Sequence, residues 1–145
     1  MTSTDPRADY ANWTRLLIED FRAHGGHVSQ GPFKDRQVLL LRTVGARSGE
    51  ERIAPLAYSR DGDRIVIVAS KGGAPTNPSW YANIVANPVV TVERDGRTYK
   101  AQAVPTAGAE RERLWAGHVK EHPGFAEYES RTSRVIPVIA LAEIK

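Results

Sequence analysis

The sequence predicts a small, mainly antiparallel β-barrel of about six strands with helices inserted late, an α+β chain. Three observations predict it. Val38–Val44 and residues 65–70 are nearly continuous apolar runs, the mark of strands covered on both faces. Asp61-Gly62 and Asp95-Gly96 are two-residue hairpin signals, each set between extended segments. The first three extended segments also follow one another without a helix between them, whereas a parallel sheet needs strand and helix to alternate.

In chain order, Asp5 and Pro6 form an N-cap and first-turn pair for a helix that runs to about His24 and is stopped by Gly25-Gly26. Tyr10, Trp13, Leu17 and Phe21 share its apolar face. That face is expected to pack on the barrel in preference to lying on a membrane surface, which the amphipathic pattern leaves open. Strand one is Val38–Val44 and strand two returns from the turn that follows it. Strand three covers residues 65–70, with Asp61-Gly62 joining it to strand two. Asn77-Pro78-Ser79 opens a short helix that ends before Asn87-Pro88, and Asp95-Gly96 joins strands at 89–93 and 98–104. Thr106 is the expected N-cap of a helix reaching about His122, where Pro123-Gly124 breaks it. Residues 135–141 read as the last strand, with Pro137 tolerable at an edge or a bulge. Residues 1–30 are thus an N-terminal helix packed on the barrel and residues 31–145 the barrel, within one domain.

A chain of 145 residues with 41% hydrophobic content buries a proper core without staples. It has no cysteine, which excludes disulfides, thiolate metal sites and Cys nucleophiles and fits a reducing compartment. No signal peptide and no membrane-length apolar run is visible, so a cytoplasmic protein is expected. The net charge is +3, and bases alternate with acids, as in Glu110-Arg111-Glu112-Arg113. Such mixing argues against a nucleic-acid partner, which would favour concentrated bases with aromatics between them.

Chemistry is concentrated around residues 38–56. Gly45 and Gly49 enclose a turn whose N–H groups can face a ligand, and Arg47, Ser48 and Arg52 add side-chain donors. Either the turn is a solvated hairpin loop or it binds an anion such as phosphate or carboxylate. Elsewhere the inventory is thin. His118-Val119-Lys120-Glu121-His122 spells HxxEH, but Pro123 follows directly, so surface or pocket-lining histidines are expected and no metal site. There is no nucleophile elbow, no GxGxxG and no P-loop. If the chain is an enzyme, a cofactor carries the reactive chemistry.

Five motifs in order carry a resemblance: Gly45-Ala46-Arg47-Ser48-Gly49 with Arg52, Pro55-Leu56, Ala69-Ser70-Lys71-Gly72-Gly73, Asn77-Pro78-Ser79-Trp80-Tyr81, and Asn87-Pro88. Together they resemble the deazaflavin-dependent nitroreductase family. The resemblance implies a split β-barrel like that of flavin-mononucleotide oxidases, preceded by an N-terminal helix. It also implies coenzyme F420, an 8-hydroxy-5-deazaflavin with an oligoglutamate tail. Arg47, Ser48, Gly49 and Arg52, helped by Lys71, would then hold the phosphodiester and glutamates through charge-assisted bonds of ~1.5–3 kcal/mol each. The ring would lie against Pro55, Leu56 and the Ser70, Lys71, Gly72, Gly73 turn, with Trp80 and Asn83 on the neighbouring wall. Trp80 is equally a candidate for the barrel core.

Where members active on nitro drugs present tyrosines, the matching positions here hold Ala57, His122 and Phe125, and only Tyr128 keeps a hydroxyl. The resemblance therefore implies a smaller acceptor, a quinone or enone, before a bulky nitroimidazole. Tyr128 and Ser70 are the candidates to bind its oxygen, while solvent, Tyr128 or His122 would deliver the proton. Three alternatives remain: an F420 carrier without turnover, the same barrel holding flavin mononucleotide or haem, and, remotely, a nucleic-acid module. The related barrels occur as monomers and as homodimers.

Overall fold

The computed structural model describes residues 6–145, so the N-cap expected at Asp5 lies outside the described residues. In order the elements are α1 (Pro6–Ala23), β1 (Val38–Val44), β2 (Glu51–Ala57), β3 (Ser59–Asp61), β4 (Arg64–Val68), a 3₁₀ turn (Lys71–Gly73), α2 (Ser79–Ala86), β5 (Val89–Arg94), β6 (Arg97–Pro105), α3 (Gly108–Glu121), α4 (Phe125–Ser130) and β7 (Val138–Glu143). The strands form one sheet in the order β2-β1-β5-β6-β7-β4-β3, and each neighbouring pair is antiparallel.

The two ends of this order are adjacent in sequence. β2 ends at Ala57 and β3 starts at Ser59, so the sheet edges leave the chain within about 7 Å of each other. The sheet must curl to allow it, and the result is a split barrel. One strand was expected over this segment, but it breaks at Tyr58, pairing with β1 before the break and β4 after it. Seven strands result, one more than expected. Tyr58 is buried, and its N–H donates to the Gln37 carbonyl at 3.1 Å.

Alternation explains the continuous apolar runs. Leu39 and Leu41 of β1 face the barrel interior with Ile65 and Ile67 of β4, together with Val90, Val92, Ile139 and Leu141. The intervening residues are covered from outside. Val38 and Leu40 pack under Leu17, Phe21 and Val28 of α1 and its loop. Val66 and Val68 pack under Leu114 and Trp115 of α3. Each fully buried aliphatic side chain contributes ~1.5–3 kcal/mol, so both helices are bound by the second face of a strand.

Two boundaries differ from expectation. Thr106 does not cap α3: Ala107 occupies the N-cap, while the Thr106 hydroxyl and N–H both donate to the Val138 carbonyl at 2.8 and 2.9 Å. Pro137 lies outside the last strand, which starts one residue later. β7 is an interior strand between β6 and β4, where a residue without N–H would break a ladder. Beyond the Pro123-Gly124 break the chain forms α4, which the sequence reading did not delimit.

α1 is docked by a bidentate pair, Arg22 to Glu93 at 2.7 and 3.1 Å. It ends at Ala23, and Gly26, at φ +97°, closes the turn that follows by donating its N–H to Phe21 O at 2.9 Å. No helix among the described residues is long and apolar enough to cross a membrane.

A Cβ on Gly26 would lie 2.7 Å from the Asp95 backbone nitrogen, at a φ that side chains avoid. Gly26→Ala is therefore expected to destabilise the fold by about 2 kcal/mol. Urea unfolding measures this, and an unchanged midpoint would show that α1 does not need this close approach.

Candidate active site

The turn after β1 is built by local bonds. Gly45 N–H donates to Glu50 O at 2.7 Å and Gly49 N–H to Gly45 O at 3.0 Å. Ser48 Oγ accepts from Glu50 N–H at 3.1 Å. A Cβ on Gly45 would sit 2.5 Å from that hydroxyl and 3.2 Å from Glu50 O. Asn83 reaches across from α2: its Oδ1 accepts from Ala46 N–H at 3.0 Å and its Nδ2 donates to Thr43 Oγ1 at 3.1 Å.

Two expectations are corrected here. Asn83 is buried behind the turn and holds it in place, so it does not line a ring site. The N–H groups of Gly45, Gly49 and Glu50 are spent within the turn and that of Ala46 on Asn83, leaving those of Arg47 and Ser48 without a partner among the described residues. Arg47 is exposed. Arg52 has a carboxylate neighbour, Glu50 at 3.1 Å, but both ends are exposed and such pairs contribute only ~0–1 kcal/mol. An incoming anion can displace it.

Beside this turn lies a cavity of about 900 Å³. β2 supplies Arg52, Pro55, Leu56 and Ala57, and Pro55 is tolerated because β2 is an edge strand. Ser70 and Lys71 line it beyond β4, Trp80 at the start of α2, and Phe125 and Tyr128 on α4. Trp80 is 6% exposed and belongs to the barrel core as well as to the cavity wall. The hydroxyls of Ser70 and Tyr128 make no hydrogen bond among the described residues. Ser48, Gly49, Gly72, Gly73, Asn83 and His122 are not on the cavity wall, nor is Arg47.

His118 and His122 are neither surface nor pocket-lining groups. His122 is buried, its Nε2 hydrogen-bonded to Tyr58 O at 2.8 Å, so it cannot deliver a proton to the cavity. His118 is fully buried with Nδ1 hydrogen-bonded to Ser59 Oγ at 2.9 Å, while its Nε2 has no partner among the described residues. Burial, with a smaller contribution from His122, pushes the His118 pKa down to about 3. The Phe125 ring stands edge-on to His118 at 4.7 Å. These rings are the packed support behind one cavity wall.

The match with the F420H(2)-dependent quinone reductase family model covers residues 13–143. This chain belongs to that family. An F420H(2)-dependent quinone reductase of Mycobacterium tuberculosis is 43% identical over 107 residues, covering 71% of each chain. A solved F420-H2 dependent reductase superposes with a TM-score of 0.68 at 40% identity, covering 73% of this chain and 94% of that one. A second solved chain, described as a domain-swapped dimer, gives a TM-score of 0.70 at 36% identity, covering 94% and 99%. This chain therefore shares its fold with both of these solved structures.

Sequence reasoning missed the part of the cavity made by the N-terminal region. Trp13, Thr14, Pro32, Phe33 and Arg36 line it, and the Trp13 and Phe33 rings lie 6.0 Å apart. Trp13 had been assigned to the face packed on the barrel, and helical spacing could not separate core from cavity. Arg134 was missed entirely, because it sits in no motif.

The His118 shift has a pH consequence. The folded pKa lies below the ordinary value of 6.5, so as pH falls the unfolded chain takes up this proton first. The stabilisation is complete above pH ~6.5 and is lost as pH falls toward about 3, at no more than about 1.4 kcal/mol per pH unit. Between pH 6 and 4 the wild type is expected to lose stability more steeply than His118→Gln. Parallel curves in urea titrations at several pH values would contradict the neutral, buried histidine.

Proposed function

We propose that this chain is an F420H(2)-dependent oxidoreductase that transfers a hydride to a quinone, with the cavity along β2 as its active site. Family membership carries the activity, and the donor chemistry of the cavity fits the coenzyme. Its basic side, Arg52 and Lys71 near the open amides of Arg47 and Ser48, suits a phosphodiester and glutamates. Its apolar side, Pro55, Leu56 and Trp80, suits a flat ring, and its volume falls in the range of small-molecule sites, ~300–1,000 Å³.

When bound, reduced F420 supplies the hydride from C5 of its ring. Arg47, Ser48, Gly49, Arg52 and Lys71 anchor the charged tail. Ser70 and Lys71, at the start of the turn that Gly72 and Gly73 complete, would meet the ring edge, and Pro55, Leu56 and Trp80 would exclude water from its face. Ala57, Phe125 and Tyr128 form the acceptor side. Tyr128 and Ser70 donate hydrogen bonds to the acceptor oxygen, where negative charge develops, and solvent restores the proton.

We also propose a homodimer from the two assembly states left open. The relative described as a domain-swapped dimer supports this, as do Val44, Val89 and Val104, exposed apolar residues of three neighbouring strands. A monomer mass by light scattering would rule it out.

Oxidation of F420H2 by menadione, followed in the pure protein, tests the activity. Tyr128→Phe is expected to lower kcat about tenfold or more with F420 affinity unchanged. Arg52→Ala is expected to weaken F420 binding about tenfold with little effect on kcat. Tight F420 binding with no oxidation by any quinone would leave a carrier instead of an enzyme.

A further inference from the structure

Arg134 lies four residues beyond the end of α4, in a loop that neither the motifs nor the family resemblance marks. Its side chain is partly buried, and all three guanidinium nitrogens are engaged. Nε donates to Ala74 O at 2.8 Å, Nη1 to Ala69 O at 3.1 Å and to Asn77 Oδ1 at 2.8 Å, and Nη2 to Ser70 O at 2.7 Å. Every acceptor belongs to one segment, residues 69–77. Among the described residues no carboxylate pairs with Arg134, so its donors serve to hold backbone rather than to neutralise an acid.

The segment it grips needs holding. Lys71 has φ +48°, a left-handed conformation that costs a residue with a Cβ roughly 1–2 kcal/mol, and such strain persists only where the surroundings enforce it. Gly73, at φ +82°, presses so closely on α4 that a Cβ would lie 2.8 Å from Tyr128 O and from Arg131 Cβ. The turn carrying Ser70 and Lys71 is thereby fastened twice, once to α4 itself and once to the loop that follows it. One fastening is the glycine contact and the other is the Arg134 fork.

We propose that Arg134 is a positioning residue for hydride transfer, its guanidinium locking the 69–77 segment to the α4 side of the cavity so that coenzyme wall and acceptor wall keep one spacing. This rests on the functional reading above. Hydride transfer demands reacting atoms about 3–3.5 Å apart, and a misplacement of about 1 Å can cost about a hundredfold in rate. Arg134 does not line the cavity. It acts through Ser70, Lys71 and the fold of their turn.

The test compares wild type with Arg134→Ala, Arg134→Lys and, as a distant surface control, Arg97→Ala. Steady-state oxidation of F420H2 by menadione, the fluorescence spectrum of bound F420 and amide hydrogen exchange are measured for each. Both Arg134 variants are expected to lower kcat at least about tenfold with the menadione KM within about twofold, because a single ammonium cannot span four acceptors. Exchange should quicken about tenfold within residues 69–77 while β1 and β5 stay protected, and the bound spectrum should shift. A kcat within about twofold of wild type in Arg134→Ala, full activity in Arg134→Lys, or exchange that quickens throughout the barrel would each overturn the proposal. If wild type itself oxidises no F420H2, the functional reading falls. The positioning role then stands or falls on the exchange pattern and the bound-F420 spectrum.

Discussion

The break at Tyr58 is the constraint on which the rest of this structure depends. Because the first and last strands of the sheet are successive pieces of one segment, the sheet closes on itself through covalent continuity, without a ladder between its edges. β2 is left with an unpaired side, and the cavity forms along it. The same seam holds the helical wall. His122 bonds to the Tyr58 carbonyl and His118 to the Ser59 hydroxyl, so the C-terminal end of α3 hangs from the break. Pro123-Gly124 then turns the chain, and α4 faces the cavity.

This gives the two histidines a role that neither a metal motif nor a substrate wall describes. One imidazole nitrogen is buried without a partner, a cost of about 1–3 kcal/mol that the packed rings around it must offset. The benefit is a fixed wall: Phe125 stands edge-on to His118 and Tyr128 lies tilted against Phe125, so the half-buried Tyr128 is carried on an aromatic column. A hydrogen bond to developing charge is effective only when its donor is already in place.

The charged side of the cavity follows a different logic. The turn after β1 satisfies three of its own amides and is pinned from behind by Asn83, so it presents a few groups in a stiff frame. Arg52 keeps only a weak, solvated partner. Such an arrangement favours exchange of a protein carboxylate for a ligand's phosphate or carboxylate at little net cost.

Local patterns in the sequence determined a great deal. Two glycine-containing hairpins, the helix stops at Gly25-Gly26 and Pro123-Gly124, the double-sided apolar runs of β1 and β4, and the basic turn all come from propensity and spacing, which act over a few residues. The ordered motifs were enough to bring Arg52, Pro55, Leu56, Ser70, Lys71 and Trp80 to one place. What only tertiary structure decided is long-range. Whether Asn83 meets a ring or a turn, whether His122 meets a substrate or the Tyr58 carbonyl, and whether Pro137 can enter a strand depend on which distant backbone group lies opposite. The same holds for Trp13 and Arg134, whose partners are set by the curl of the sheet and the docking of α1 and α4. Helical spacing and residue type carry no record of those separations, because the chain acquires them only when the barrel closes.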